Sequence, residues 1–243
     1  RGARWGSRRA VAPPWRRAEA CFAPARFTRR ELVEVVGVDA GRVEVCYQGV
    51  DPVFATVPRS EPAEIRRLLF FGRLTPGKGL GDALRALAPL AGRAGAPWSY
   101  RIMGEGDARP YAELAAELGI GERVEFLPFQ GREALCAELA AADLALLPSY
   151  SESFGLSIAE AQAAGLPVVA YACGSVPEIV EHGVTGWLAP FRDVGALTGF
   201  VDAAMDRPEV ASAAGRAGRQ RTGSRFTWAE TARRILEGLR RLP

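Results

Sequence analysis

From Leu68 onward, short unbroken apolar runs alternate with longer stretches in which apolar residues recur at helical spacing. The apolar runs are 68–71, 100–103, 124–127, 144–147, 168–171 and a weaker 186–189, each with the length and continuity of a strand covered on both faces. The helical stretches between them are 81–91, 108–118, 132–142, 154–164 and 176–181. This alternation predicts an α/β fold, a Rossmann-like, doubly wound parallel sheet with right-handed crossovers and helices on both faces. After Arg192 the pattern is helical throughout and ends in a helix over 228–242 that must cap the sheet or reach another domain.

The segment before Leu68 follows another rhythm. Phe27-Thr28-Arg29-Arg30-Glu31-Leu32 predicts a helix with Thr28 as N-cap and Glu31 at the capping-box spacing. A short strand over 43–47 follows, then a turn at Gln48-Gly49 and a proline-bearing, low-pattern stretch over 51–62 that reads as a linker. One helix and one strand cannot form a domain alone. The expected division is a basic arm plus the last helix and strand of an incomplete upstream domain at 1–56, and the sheet domain at 57–243.

Charge supports that division. Residues 1–30 hold nine arginines and one acid, so a chain of net charge +3 has a start of +8 and a mildly acidic body. With Trp5 and Trp15 among its arginines the start can touch anionic lipid or nucleic acid, although Pro13-Pro14 interrupts any continuous amphipathic helix and a solvated arm is the favoured reading. No run approaches the roughly twenty apolar residues of a membrane-spanning helix, and the start has no secretory apolar region. Cys21, Cys46, Cys136 and Cys173 form no Cys-x-x-Cys pair, which points to reduced, mostly buried thiols in a cytoplasmic protein. His182 is the single histidine, so zinc sites and serine–histidine triads lack parts, and its place beside Gly183 suits a helix C-cap.

In an open parallel sheet, ligands bind outside the carboxyl ends of the strands, and four loops there are unusual. The first, 72–79, carries Arg73 and Lys78, the only lysine in a chain with thirty arginines. A lysine ammonium meets phosphate as a compact point charge, whereas an arginine is a planar fork. Two cations and the free amides of a helix start make an anion site, most economically for a diphosphate. It is not a Walker loop, since Gly-x-x-x-x-Gly-Lys-[Ser/Thr] is absent. The second loop, Gly104-Glu105-Gly106-Asp107, lets a backbone pass close to a ligand and is equally the pattern of a plain turn. The third, Pro128-Phe129, offers a ring to a nucleobase or simply ends a strand.

The fourth loop runs Pro148-Ser149-Tyr150-Ser151-Glu152-Ser153-Phe154-Gly155-Leu156 into a helix that carries Glu160 among Ile158, Ala159, Ala161, Ala163 and Ala164. A carboxylate on so packed a helix is unfavourable without a partner, and sugar hydroxyls are good partners. The amides of Phe154, Gly155 and Leu156 stand at the helix start, open to a phosphate or a hydroxyl. The competing reading is an acid favoured by the helix dipole with a second acid on the surface.

Taken together these residues resemble the retaining glycosyltransferases of the GT-B fold, particularly glycosyltransferase family 4. The matching pieces are Phe71-Gly72-Arg73-Leu74 with Lys78-Gly79, Gly104-Glu105-Gly106, and Glu152-Ser153-Phe154-Gly155 with Glu160. They continue through Ala161 to Ala170, Val176-Pro177-Glu178-Ile179-Val180 and Gly183-Val184-Thr185-Gly186. The resemblance implies that this is the C-terminal, donor-binding half of such an enzyme, moving a hexose with retention from a nucleotide sugar such as GDP-mannose or a UDP-hexose. Arg73 and Lys78 would bind the diphosphate and stabilise the leaving group. Glu160 would hold the ribose, and Glu152 with the amides of 154–156 the sugar. Gly72, Gly104, Gly106, Phe129 and Ser153 would complete the donor site. No metal or other cofactor is implied, and no Asp-x-Asp pair is present.

Two departures fall at turns, Gln48 for a more usual Asn and Gly174-Ser175 for Gly-Gly, and both look tolerable. The missing acceptor domain is a larger one. It leads to the expectation that this chain alone binds donor without transferring. The acceptor would be a glycan, glycolipid or small molecule and no nucleic acid, at the cytoplasmic or inner membrane surface through the basic start. A nucleotide-sugar-binding module without catalysis is the main alternative reading; a sugar-nucleotide epimerase has less support.

Overall fold

The computed structural model describes residues 15, 17–93 and 97–241; Trp5 and Pro13-Pro14 of the basic arm lie outside the described residues. The chain opens with β1 (Cys21–Ala23), α1 (Arg26–Arg30, continued by a wider turn over Glu31–Val36) and β2 (Val43–Val45). β1 and β2 pair in parallel, Cys21 opposite Val43, and enclose a small core with Leu32 and Val38.

The sheet domain is built from β3 (Arg67–Phe71), α2 (Leu80–Leu87), β4 (Ser99–Met103), α3 (Arg109–Glu117), β5 (Val124–Leu127), α4 (Arg132–Ala141), β6 (Leu144–Leu146), α5 (Leu156–Ala163), β7 (Val168–Tyr171), α6 (Val176–Ile179) and β8 (Gly186–Ala189). Its six strands lie in the order β5-β4-β3-β6-β7-β8, every pair parallel. β6 and β7 are buried along their whole length, which is why they read as unbroken apolar runs, while the edge strand β5 is half-buried. The expected doubly wound α/β architecture is therefore the observed one.

Strand order reverses between β3 and β6, where Leu68 pairs with Leu144 and Leu69 with Ala145. A crevice opens outside the carboxyl ends at such a switch point. The helical end consists of α7 (Val194–Asp206), α8 (Pro208–Arg225) and α9 (Trp228–Leu239). α8 packs on α5 through small residues; a Cβ on Gly218 would stand 3.2 Å from Gln162 Cγ. α9 leaves the sheet and returns to the start of the chain. Thr231 Oγ1 donates to Tyr47 O at 2.7 Å, Arg241 pairs with Glu44 at 2.6 Å, and Gly238 lies against Phe22. No helix among the described residues is long and apolar enough to cross a membrane.

Three local expectations need correction. Thr28 is not an N-cap: α1 begins at Arg26 after an extended Ala25, with no side-chain cap of its own, and Thr28 lies inside the helix. The stretch read as a linker is packed in part, because Pro52–Thr56 forms a helical turn started by Asp51 and buries Phe54 and Val57 in the main core. His182 caps no helix; its Nδ1 accepts the Leu188 amide at 3.0 Å and so supports β8.

Candidate active site

β3 ends at Phe71, and the chain crosses the sheet rim before α2. Gly72 N donates to Met103 O at 3.0 Å and Leu74 N to Glu105 O at 2.7 Å, so the first and second loops are fastened to each other. A turn over Pro76–Lys78 and left-handed Gly79 then set the start of α2. Tyr150 N donates to Gly77 O at 2.8 Å, which ties this loop to the one following β6.

That tie brings Lys78 to Glu152, with Nζ 2.6 Å from Oε1 and the side chains only 23% and 9% exposed. Arg73 is exposed on the same rim, and its guanidinium has no hydrogen bond or ion pair among the described residues. Beyond Glu152 the backbone reaches Gly155, whose φ of 98° and ψ of 53° direct it into α5. The first amides of any α-helix lack partners within it. Glu160, one turn into α5, is half-buried, and its carboxylate makes no hydrogen bond or ion pair among the described residues. Burial pushes its carboxyl up to about 7; the guanidinium of Arg132 opposes that rise and the carboxylate of Asp51 adds to it. Asp51 and Arg132 are themselves paired at 2.8 Å.

These groups line one cleft of about 620 Å³ at the switch point. Gly72, Arg73, Lys78, Gly104, Phe129, Glu152, Ser153, Phe154, Gly155, Leu156 and Glu160 all contribute to its wall. The Phe129 ring is 47% exposed there. Gly106 is the one expected position that does not line it. It bridges to Leu74, and a Cβ on it would come within 2.8 Å of Leu74 O, so it shapes the second loop from behind. Sequence reasoning passed over Asp51, Arg132 and Trp228, which also line the cleft. Asp51 lay in the stretch taken for a linker, and Trp228 begins a helix far along the chain; neither carries a local signal of a site.

The arrangement has two cations each held by an acid, Lys78 by Glu152 and Arg132 by Asp51, while the Arg73 guanidinium and the half-buried Glu160 carboxyl have no partner among the described residues. It can accept a ligand carrying both an anion and hydroxyl groups. The sequence profile of a family described as Glycosyl transferases group 1 matches residues 58–221. The chain belongs to that family. It is similar to the D-inositol 3-phosphate glycosyltransferase of Mycolicibacterium smegmatis, 39% identical over 221 residues, which cover 85% of this chain and 49% of that protein. The chain thus spans about half the length of the curated relatives it matches. Among solved structures, the sucrose-phosphate synthase of Thermosynechococcus elongatus superposes with a TM-score of 0.85 at 25% identity, covering 97% of this chain and 61% of that one. The Anabaena HepE protein in complex with UDP-glucose superposes with a TM-score of 0.84 at 24% identity, covering 96% of this chain and 67% of that one. The fold of this group 1 glycosyl transferase domain is accordingly GT-B in type, with a helical C-terminus.

Proposed function

We propose that this chain is the donor-binding half of a family 4 hexosyltransferase that takes its sugar from a nucleotide diphosphate and acts with retention and without a metal. The observation that carries the reading is the meeting of Lys78 and Glu152 at 2.6 Å in the cleft that also holds Arg73 and Glu160. As the bond between the anomeric carbon and the bridging oxygen breaks, negative charge grows on the departing diphosphate. Arg73 and Lys78 face that charge as fixed cations. Glu160 accepts the ribose hydroxyls, and Glu152, on exchanging its lysine for the donor, accepts a sugar hydroxyl. A UDP-hexose is favoured because the structurally similar Anabaena HepE protein is found in complex with UDP-glucose. The acceptor is a hydroxylated molecule gripped largely by a preceding domain, and an inositol phosphate is one candidate because the relatives' name specifies it.

Calorimetric titration with UDP, GDP, ADP and their sugars tests this. Micromolar binding of one nucleotide sugar, lost in Lys78→Ala, is expected; no binding to any of them overturns the assignment. Because the chain covers only about half of its curated relatives, transfer is assayed after an upstream domain is supplied. Donor binding without turnover there would favour a binding module.

A further inference from the structure

The backbone of the cleft-lining segment 152–154 is held by hydroxyl groups. Glu152 O accepts from Ser175 N at 3.1 Å, and the Ser175 hydroxyl is shared between Glu152 O at 3.0 Å and Phe154 O at 2.7 Å. Between them, Ser153 O accepts from Thr28 Oγ1 at 2.8 Å. Three successive carbonyls are thereby drawn into the protein. In a trans peptide the C=O of one residue and the N–H of the next point in opposite directions. The amides of Ser153, Phe154 and Gly155 are consequently turned away from those hydroxyls, and all three residues line the cleft.

The two hydroxyls come from different parts of the molecule. Ser175 is buried at the start of α6, whereas Thr28 belongs to α1 in the small upstream unit. Glu178 of α6 seats α1: its carboxylate accepts Arg26 N at 2.9 Å, Phe27 N at 2.8 Å and Tyr47 Oη at 2.8 Å. The missing cap of α1 is thus supplied from the sheet domain. One short segment, 175–178, fixes both the loop and the helix that reaches over to it.

We infer that Thr28 and Ser175 are positioning residues for the donor, aiming the amides of 153–155 at the bound sugar diphosphate, and that Glu178 holds Thr28 in place to do so. The inference rests on the donor-binding reading above. Ser175 stands where the family resemblance leads one to expect glycine, which could offer its amide but no hydroxyl. Thr28 thereby takes part in the donor site without itself lining the cleft.

Thr28→Val removes the hydroxyl while keeping the side-chain shape, Ser175→Ala does so at the second position, and Thr28→Ser keeps the hydroxyl. Amide hydrogen exchange followed by mass spectrometry reports on 152–157 and on 72–79, and calorimetry with UDP-glucose reports on the site. Thr28→Val and Ser175→Ala should each speed exchange across 152–157 by about tenfold, leave 72–79 unchanged, and weaken UDP-glucose binding by about fivefold. Thr28→Ser should restore both. Unchanged exchange at 152–157 in Thr28→Val overturns the inference, and so does a Thr28→Ser variant that behaves like Thr28→Val. If the unaltered chain binds no nucleotide sugar, the donor-binding reading fails, and the exchange data still decide whether Thr28 positions the loop.

Discussion

Glu160 places an acid where folding alone would not keep one, and replacing it with glutamine separates the two demands. Its carboxyl is raised from 4.5 to about 7 by burial, with Arg132 and Asp51 as the charged groups around it. Between those two values the folded chain holds a proton that the unfolded chain has released, so stability falls as pH rises through that window and the loss is complete above about 7. A displacement of that size corresponds to about 3 kcal/mol, which access of solvent through the cleft reduces to about 2. Glu160→Gln should therefore unfold at nearly the same temperature as the unaltered chain at pH 5. At pH 8 it should unfold at a temperature higher by roughly 4–8 °C, the response expected of a chain this long. Differential scanning calorimetry at the two pH values measures this. The same substitution should weaken nucleotide-sugar binding by about tenfold or more, because a charged acceptor for hydroxyls becomes a neutral one. Equal melting gaps at both pH values, or a glutamine variant less stable at pH 8, would refute the argument that burial sets the carboxyl's behaviour.

Two further substitutions probe the cationic side of the cleft, where the diphosphate is proposed to bind. Lys78→Met strands the buried Glu152 carboxylate, and because the lysine is 23% exposed the loss should sit near the low end for a broken buried pair, about 3 kcal/mol. Adding Glu152→Gln should recover more than half of it in a double-mutant cycle of thermal melts; a coupling under about 0.5 kcal/mol would show that the pair is not energetically linked. Arg73→Gln removes an exposed guanidinium without partners among the described residues, so unfolding should change by no more than about 0.5 kcal/mol. Nucleotide-diphosphate affinity should nevertheless fall by about tenfold in calorimetry; an unaltered affinity would remove Arg73 from the site.

The central strands were legible because burial on both faces leaves no polar position to interrupt them, as in β7, where Val168, Val169, Ala170 and Tyr171 are all inaccessible to solvent. The loops after β3 and β6 were legible because a lone lysine and a carboxylate on an apolar helix each conflict with their surroundings. Other features depended on partners far along the chain. β1 is three residues whose only reason to extend is β2, some twenty residues away. Thr28 carried a capping pattern, but the carboxylate that caps α1 belongs to Glu178, 151 positions from Phe27. Ser175 looked like a tolerable exchange at a turn, and its three bonds to the cleft-lining loop appear only once the backbone is folded around it. Asp51 and Arg132 meet at 2.8 Å across a sequence distance that no periodicity records.

The return of α9 to the beginning of the chain sets a practical boundary for anyone trimming the molecule. The match to the family profile ends at residue 221, but a fragment cut there would discard Phe226, whose ring meets both Tyr47 and Phe154 edge-on. It would also remove Trp228 from the cavity wall and Gly238 from against Phe22. The conserved-looking module and the smallest portion able to keep its pocket in shape are therefore different lengths, and shortened expression clones should run through Arg241.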